Sequence, residues 1–149
     1  MKKWTKITII VVLLMAVVGI YYGKNVYFKK GNEQAALTNN LDKIIAVEKG
    51  EVKKPVVMEL ATTTCPACAQ MYPVMESIDK KYKDKLIAGV VYLDDSNIQE
   101  KAAEYAEKYS IRVVPTMIFL DENGKLFLRQ EGYMSEEEVT EVLKAMGVE

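Results

Sequence analysis

The chain has 149 residues, 50% hydrophobic and 28% charged, with 20 Lys and Arg against 21 Asp and Glu. That is enough for one domain with a proper core and too little for two, it excludes wholesale disorder, and without a basic excess it disfavours nucleic acid as a partner. The sequence contains no His and 2 Cys, which removes His-based general-base catalysis, His-ligated zinc and Ser-His-Asp triads, and leaves too few thiols for a tetrahedral zinc site within one chain.

Lys2, Lys3 and Lys6 precede an apolar run from Ile7 to Tyr22, with Trp4 at one end and Tyr21 and Tyr22 at the other. Aromatics at both ends are the pattern of an interfacial belt. The run is slightly shorter than the roughly 20 residues of a spanning helix, and Trp4 and Val26-Tyr27-Phe28 can extend it at the interfaces. The expectation is an uncleaved signal anchor over residues 1–24. A cleaved signal peptide is the competing reading, with Val17-Val18-Gly19 as its candidate site. Both export the rest of the chain, and no Cys stands near the end of the run to make a lipoprotein. The expected topology is single-pass in the cell membrane, with a cytoplasmic amino terminus and an extracytoplasmic domain. Lys24, Lys29 and Lys30 beyond the run keep the positive-inside bias small.

Residues 25–38 read as a stalk, and residues 39–149 as one domain. Leu41, Ile44, Ile45 and Glu48 mark a short amphipathic helix ended by Gly50. Val56 to Leu60 reads as a buried strand, running through Thr62-Thr63-Thr64 into Cys65-Pro66-Ala67-Cys68. Met71, Met75, Ile78 and Tyr82 form one apolar face of the next helix, with Pro73 inside it as a kink. Leu86 to Leu93 is a second strand. Ile98, Ala102, Tyr105, Ala106 and Tyr109 mark another helix face. Ile111 to Pro115 leads to a third strand, Thr116 to Leu120. Asp121-Glu122-Asn123-Gly124 is a hairpin turn, and Leu126 to Gln130 is the returning strand. Ser135 and Glu138 form a capping box for a last helix whose face is Val139, Val142, Leu143 and Met146. The early strand–helix alternation demands a parallel pair, and the hairpin adds an antiparallel one. The expected fold is three-layer α/β with a mixed central sheet flanked by helices.

The thiol pair falls where a strand ends and a helix begins. Cys65 is near the N-cap, Pro66 suits the first helical position, and Cys68 lies one turn in. Unpaired N–H groups and the helix dipole there favour a thiolate at Cys65, and so a nucleophile near neutral pH. Cys68 is near enough to resolve a mixed disulfide on Cys65, which is thiol–disulfide exchange. A structural disulfide would close a loop of only four residues, worth about 2 kcal/mol at best. A metal half-site shared by two chains is the remaining alternative.

From about Leu41 to the carboxyl terminus the sequence resembles the thioredoxin superfamily. A buried strand precedes a CxxC at a helix start, and Pro73 lies five residues after Cys68. Val114-Pro115-Thr116 is similar to the family's cis-proline motif, and Asn123-Gly124-Lys125 and Gly132 match its hairpin turn and terminal glycine. The resemblance implies a cis Pro115 facing the CxxC, with Thr64, Pro66 and Val114 in the same substrate groove. It also implies a proton-transfer role for Glu59, six residues before Cys65, where the family carries a buried Asp. Burial would move that carboxyl toward neutrality; a Glu on an edge position reaching water is the plain alternative. Thr64 stands where thioredoxins usually have Trp, Pro66-Ala67 replaces Gly-Pro, and Val90 takes the place of the lysine that accompanies the buried Asp.

The implied activity is thiol–disulfide exchange at Cys65 and Cys68. No cofactor is expected beyond that redox-active disulfide, and no metal. Implied partners are cysteine-containing exported proteins, reduced by electrons from a membrane thiol carrier. A disulfide-forming oxidant of the same fold, a non-enzymatic chaperone-like or metal-binding module, and a purely structural envelope protein are the rival readings. Met58, Met71, Met75, Met117 and Met146 fall on apolar faces or strands and read as core, not as a copper site. Lys80, Lys81, Lys83 and Lys85 read as an exposed helix end, and Glu136-Glu137-Glu138 as a solvated first turn.

Overall fold

The computed structural model describes residues 10–21, 37–38 and 40–149. The chain divides into two compact units, Met1–Ala35 and Ala36–Glu149. In the first, residues 10–21 are helical (α1). No helix among the described residues is long and apolar enough to cross a membrane. The basic flank, Trp4, the two ends of the apolar run and the 25–36 part of the expected stalk lie outside the described residues.

The second unit contains α2 (Leu41–Glu48), β1 (Val56–Ala61), α3 (Pro66–Tyr82), β2 (Ile87–Tyr92), a 3-10 turn (Ser96–Ile98), α4 (Gln99–Lys108), β3 (Thr116–Leu120), β4 (Leu126–Glu131) and α5 (Glu136–Ala145). Every element expected from the pattern is present, with ends shifted by a residue or two. The helix face expected to begin at Ile98 opens instead on the 3-10 turn that contains this residue. Leu37 is buried at 1% exposure within the core. The packed domain therefore reaches two residues into the segment read as stalk.

The sheet order is β2-β1-β3-β4. β1 pairs with β2 in parallel, while β1–β3 and β3–β4 are antiparallel. A parallel pair needs a crossover, and α3 supplies it; an antiparallel pair can close through a short turn, and Asp121 to Gly124 does so. There the Asp121 carboxylate Oδ1 accepts the amides of Asn123 and Lys125, each at 2.9 Å. Gly124 takes φ +75°, and an added Cβ would lie 2.8 Å from the Cα of Glu48. The turn thus needs glycine both for its backbone and for its contact with the end of α2.

β1 is central, and all six of its residues are buried. Strand periodicity splits them between two layers. Val57 and Ala61 join Met71, Met75 and Ile78 of α3 and Val139 and Leu143 of α5. Val56, Met58 and Leu60 join Leu41, Ile44 and Val47 of α2 and Tyr105 of α4. Buried methionines at 58, 71, 75 and 117 fill this core as expected. Ser135 and Glu138 form both halves of the capping box at α5. The result is the three-layer α/β fold with a mixed sheet, and it brings the carboxyl end of β1 and the start of α3 to one edge.

Candidate functional site

Cys65 is the N-cap of α3, in extended conformation, and Pro66 occupies the first helical turn. Its sulfur accepts the Cys68 amide at 3.2 Å, satisfying one of the donors a helix start leaves open. The Cys65 thiol also faces the Val114 carbonyl at 3.8 Å. Cys65 is half-buried, Cys68 is buried, and both are free thiols. Only one sulfur is therefore accessible to a partner, and the second waits beneath it.

The two thiols are driven apart in acidity. The hydrogen bond from the Cys68 thiol is the largest influence on Cys65; burial opposes it, the Cys68 and Ala67 amides add to it, and together they hold Cys65 below the usual thiol range. Burial first, then its hydrogen bond to Cys65 and the nearby charges, push Cys68 up to about 12, and the Thr62 amide partly offsets this. A thiolate on the exposed sulfur and a thiol on the buried one is the division of labour that exchange requires.

Glu59 is 1% exposed, in the centre of the sheet, opposite Val90 of β2 and Met117 of β3. An edge position reaching water is therefore ruled out. By strand alternation it shares a face with Val57 and Ala61, the layer that holds Cys68. Its Oε1 has no hydrogen-bond partner among the described residues. Burial, then the Cys65 charge, raises its pKa to about 8. A carboxyl so placed can exchange a proton near neutral pH. Val90 provides no cation to hold it ionised.

The Val114–Pro115 bond is cis. Pro115 is buried and its carbonyl accepts the Gly132 amide at 2.8 Å, so this residue shapes the surface from beneath. Val114 is half-exposed, and Thr64 and Pro66 are exposed on the other side of Cys65. The structure thus brings Thr64, Cys65, Pro66, Cys68, Val114 and Pro115 to one edge, with Glu59 below. Sequence reasoning missed Val113 and Tyr133, which are 49% and 51% exposed beside Val114 and Gly132. An apolar residue directly before a Val-Pro pair was the available signal. It also missed Asp94, whose carboxylate holds the Thr63 amide at 3.0 Å.

The profile of the thioredoxin-like domain matches residues 41–147. The chain belongs to the thioredoxin-like family. It is 30% identical over 73 residues to thioredoxin-1 of Drosophila melanogaster, a match that covers 49% of this chain and 63% of that one. It is 25% identical over 171 aligned positions to the thioredoxin-like protein YneN of Bacillus subtilis, covering 96% of this chain and 98% of that one. Among solved structures, an uncharacterized thioredoxin-like protein from Clostridium perfringens superposes with a TM-score of 0.57 at 27% identity, covering 69% of this chain and 79% of that one. This thioredoxin-like domain is a thiol–disulfide oxidoreductase.

Proposed function

We propose that Cys65 and Cys68 are the redox pair of this oxidoreductase, and that it reduces disulfides of exported proteins from the outer face of the cell membrane. The observation that carries the reading is the helix-capping sulfur of Cys65, half-exposed and hydrogen-bonded at 3.2 Å to the Cys68 amide, with a buried second thiol behind it. In the proposed cycle the Cys65 thiolate attacks one sulfur of a substrate disulfide. A mixed disulfide forms, and the other substrate sulfur leaves as a thiolate and takes a proton from solvent. Cys68 then gives its proton to Glu59 and attacks the Cys65 sulfur. The second substrate thiol leaves, two electrons have passed to the substrate, and Cys65–Cys68 is the new disulfide. A membrane thiol carrier re-reduces it. Thr64, Pro66 and Val114 form the groove that receives the substrate peptide, shaped from below by Pro115.

The apolar run at residues 7–22 is assigned as a single-pass anchor with a cytoplasmic amino terminus. The aromatics at both ends of the run and the lysines that precede it support this. Three experiments test the proposal on the full chain. Cys68→Ser should leave Cys65 trapped in mixed disulfides with exported proteins, whereas Cys65→Ser should trap none; absence of Cys65 adducts would remove the redox assignment. Equilibration with glutathione should give a potential toward the thioredoxin value of about −270 mV. A value near −120 mV would make the protein a disulfide donor. Labelling of Cys65 in intact cells by a membrane-impermeant thiol reagent reads the topology directly.

A further inference from the structure

The sheet order β2-β1-β3-β4 leaves β4 with β3 as its one neighbour among the described residues. Glu131 aligns with Thr116, and one step on the Gly132 amide donates to the Pro115 carbonyl at 2.8 Å. Antiparallel strands alternate between residues that exchange backbone hydrogen bonds and residues that do not. The backbone groups of Leu128, Gln130 and Gly132 therefore point at β3, and those of Arg129 and Glu131 point away from it. Among the described residues, the one hydrogen bond to those outer groups comes from the Gln130 side-chain amide to the Glu131 carbonyl, at 3.2 Å. A row of open N–H and C=O groups is a template for another strand.

Edge strands guard against such pairing with charge. The charges on this edge are Arg129 and Glu131, two residues apart and so on one face. Whether they guard or attract depends on register. Two copies related by a two-fold axis pair their edges antiparallel, and the hydrogen bonds then form between outward-pointing residues. Centred on Arg129, that pairing sets two arginines opposite one another; centred on Glu131, it does the same with two glutamates. Centred on Gln130, Arg129 of each copy stands opposite Glu131 of the other, and both pairs can exchange backbone hydrogen bonds. Within one copy Arg129 and Glu131 already meet at 2.6 Å, so the charges of the two copies form one alternating cluster. The same register carries the exposed Phe127 of one copy, 49% accessible, toward Tyr133 of the other, 51% accessible.

We propose that β4 is a dimer interface: a second copy of this chain adds its own β4 antiparallel to the first about Gln130, and one sheet runs through both. The charge pattern selects the partner, since Arg129 and Glu131 complement themselves in this register and in neither neighbouring one. Tyr133 follows Gly132, whose amide holds the Pro115 carbonyl, so Phe127 of the second copy comes to the margin of the edge that carries Cys65. The proposal stands on the geometry of β4 and does not depend on the redox reading.

The test is sedimentation velocity on the reduced full chain in detergent over a range of concentrations, where a monomer–dimer equilibrium is expected. Glu131→Arg and Arg129→Glu each set like charges opposite one another, and each should raise the dissociation constant about tenfold. Mixed in equal amounts, the two variants restore opposite charges at both pairs, so the mixture should return to within about threefold of the parent. Gln130→Lys sets two ammonium groups side by side at the axis and should weaken the dimer about threefold. Arg129 also donates to the Tyr109 and Ser110 carbonyls; if Arg129→Glu does not fold by circular dichroism, Glu131→Arg and Gln130→Lys decide the matter. A chain that stays monomeric at every concentration overturns the proposal. A dimer unmoved by Glu131→Arg and Gln130→Lys overturns it too, because the contact then lies elsewhere in the chain. So does a mixture of folded variants that associates no more tightly than either variant alone.

Discussion

The two faces of β1 are built from the same strand and obey different rules. On the face toward α2 and α4, Val56, Met58 and Leu60 lie in an apolar cluster. The polar groups at its margin are paired: the hydroxyls of Tyr105 and Tyr109 both donate to the Glu48 carboxylate. On the face toward α3 and α5 stands Glu59, fully buried, with an oxygen that has no hydrogen-bond partner among the described residues. Near it lie a buried thiol and the cis Val114–Pro115 loop. One face gains stability from burial; the other gives some of it up to hold a titratable group in the layer of the buried Cys68 thiol. A buried unpaired carboxyl is costly, and the apolar cluster packed on the other face of the strand offsets that cost.

The largest expected effect comes from removing the charge on the costly face. Glu59 holds its proton more tightly folded, at about 8, than unfolded, at about 4.5. The folded state therefore binds more protons, so stability falls as pH rises from about 4.5 to about 8 and levels off above that. The shift corresponds to on the order of 5 kcal/mol between those limits. Glu59→Gln should match the parent near pH 4.5 and exceed it by several kcal/mol at pH 9, both measured reduced by urea denaturation. Parallel pH profiles for the two chains would mean that the pKa of Glu59 is the same in the folded and unfolded states. If Glu59 accepts the Cys68 proton as proposed, the same substitution should also slow release of the second product thiol.

The apolar face should show the opposite behaviour. Leu60 is fully buried there. Leu60→Ala should cost about 2–5 kcal/mol, because it opens a cavity that packed neighbours close only in part. That loss should be equal at pH 5 and pH 9, and the rate of disulfide exchange between the reduced chain and glutathione disulfide should stay that of the parent chain. A pH-dependent loss, or a slowed reaction, would mean that the two faces are coupled through β1 and are not separate regions.

How far the sequence carried the reading obeys the same division. Periodic and local features were legible. The spacing of Met71, Met75, Ile78 and Tyr82 marks the buried side of α3, Ser135 and Glu138 mark the start of α5, and a Cys-Pro step after a buried run marks a helix N-cap. The cis Val114–Pro115 bond and the burial of Glu59 came from resemblance, not from pattern. What stayed hidden is held by side chains far apart in sequence. The Thr63–Asp94 clamp spans 31 residues and the Glu48–Tyr105 bond spans 57, and neither leaves a period or a turn signature. Leu37 was hidden for another reason: one apolar residue in a polar segment has no pattern to declare it buried. Asn123-Gly124 announced a turn correctly, but only Gly124 takes positive φ. The Asp121 carboxylate, and not a pair of left-handed residues, closes it.

The smallest effects sharpen the picture of the margin where the apolar face meets solvent. Glu48 accepts from Tyr105 at 2.8 Å, from Tyr109, and from Lys108 at 2.8 Å. Its loss in Glu48→Ala would leave two largely buried phenols without their acceptor, at a cost of about 1–3 kcal/mol. Burial and the Glu48 hydrogen bonds also raise the pKa values of both phenols, so the same substitution should lower their titration midpoints in an ultraviolet difference titration. Lys108 is the contrast within the cluster. Its side chain is 44% exposed, and its ammonium lies 5.3 Å and 5.9 Å from the Tyr109 and Tyr105 ring centres. Water screens such a pair, so Lys108→Ala should cost only about 0.5 kcal/mol and fade further in added salt. If Lys108→Ala proved as costly as Glu48→Ala, the carboxylate would be held by its ion pair, and the two tyrosines would be bystanders and not the reason it sits at the edge of the core.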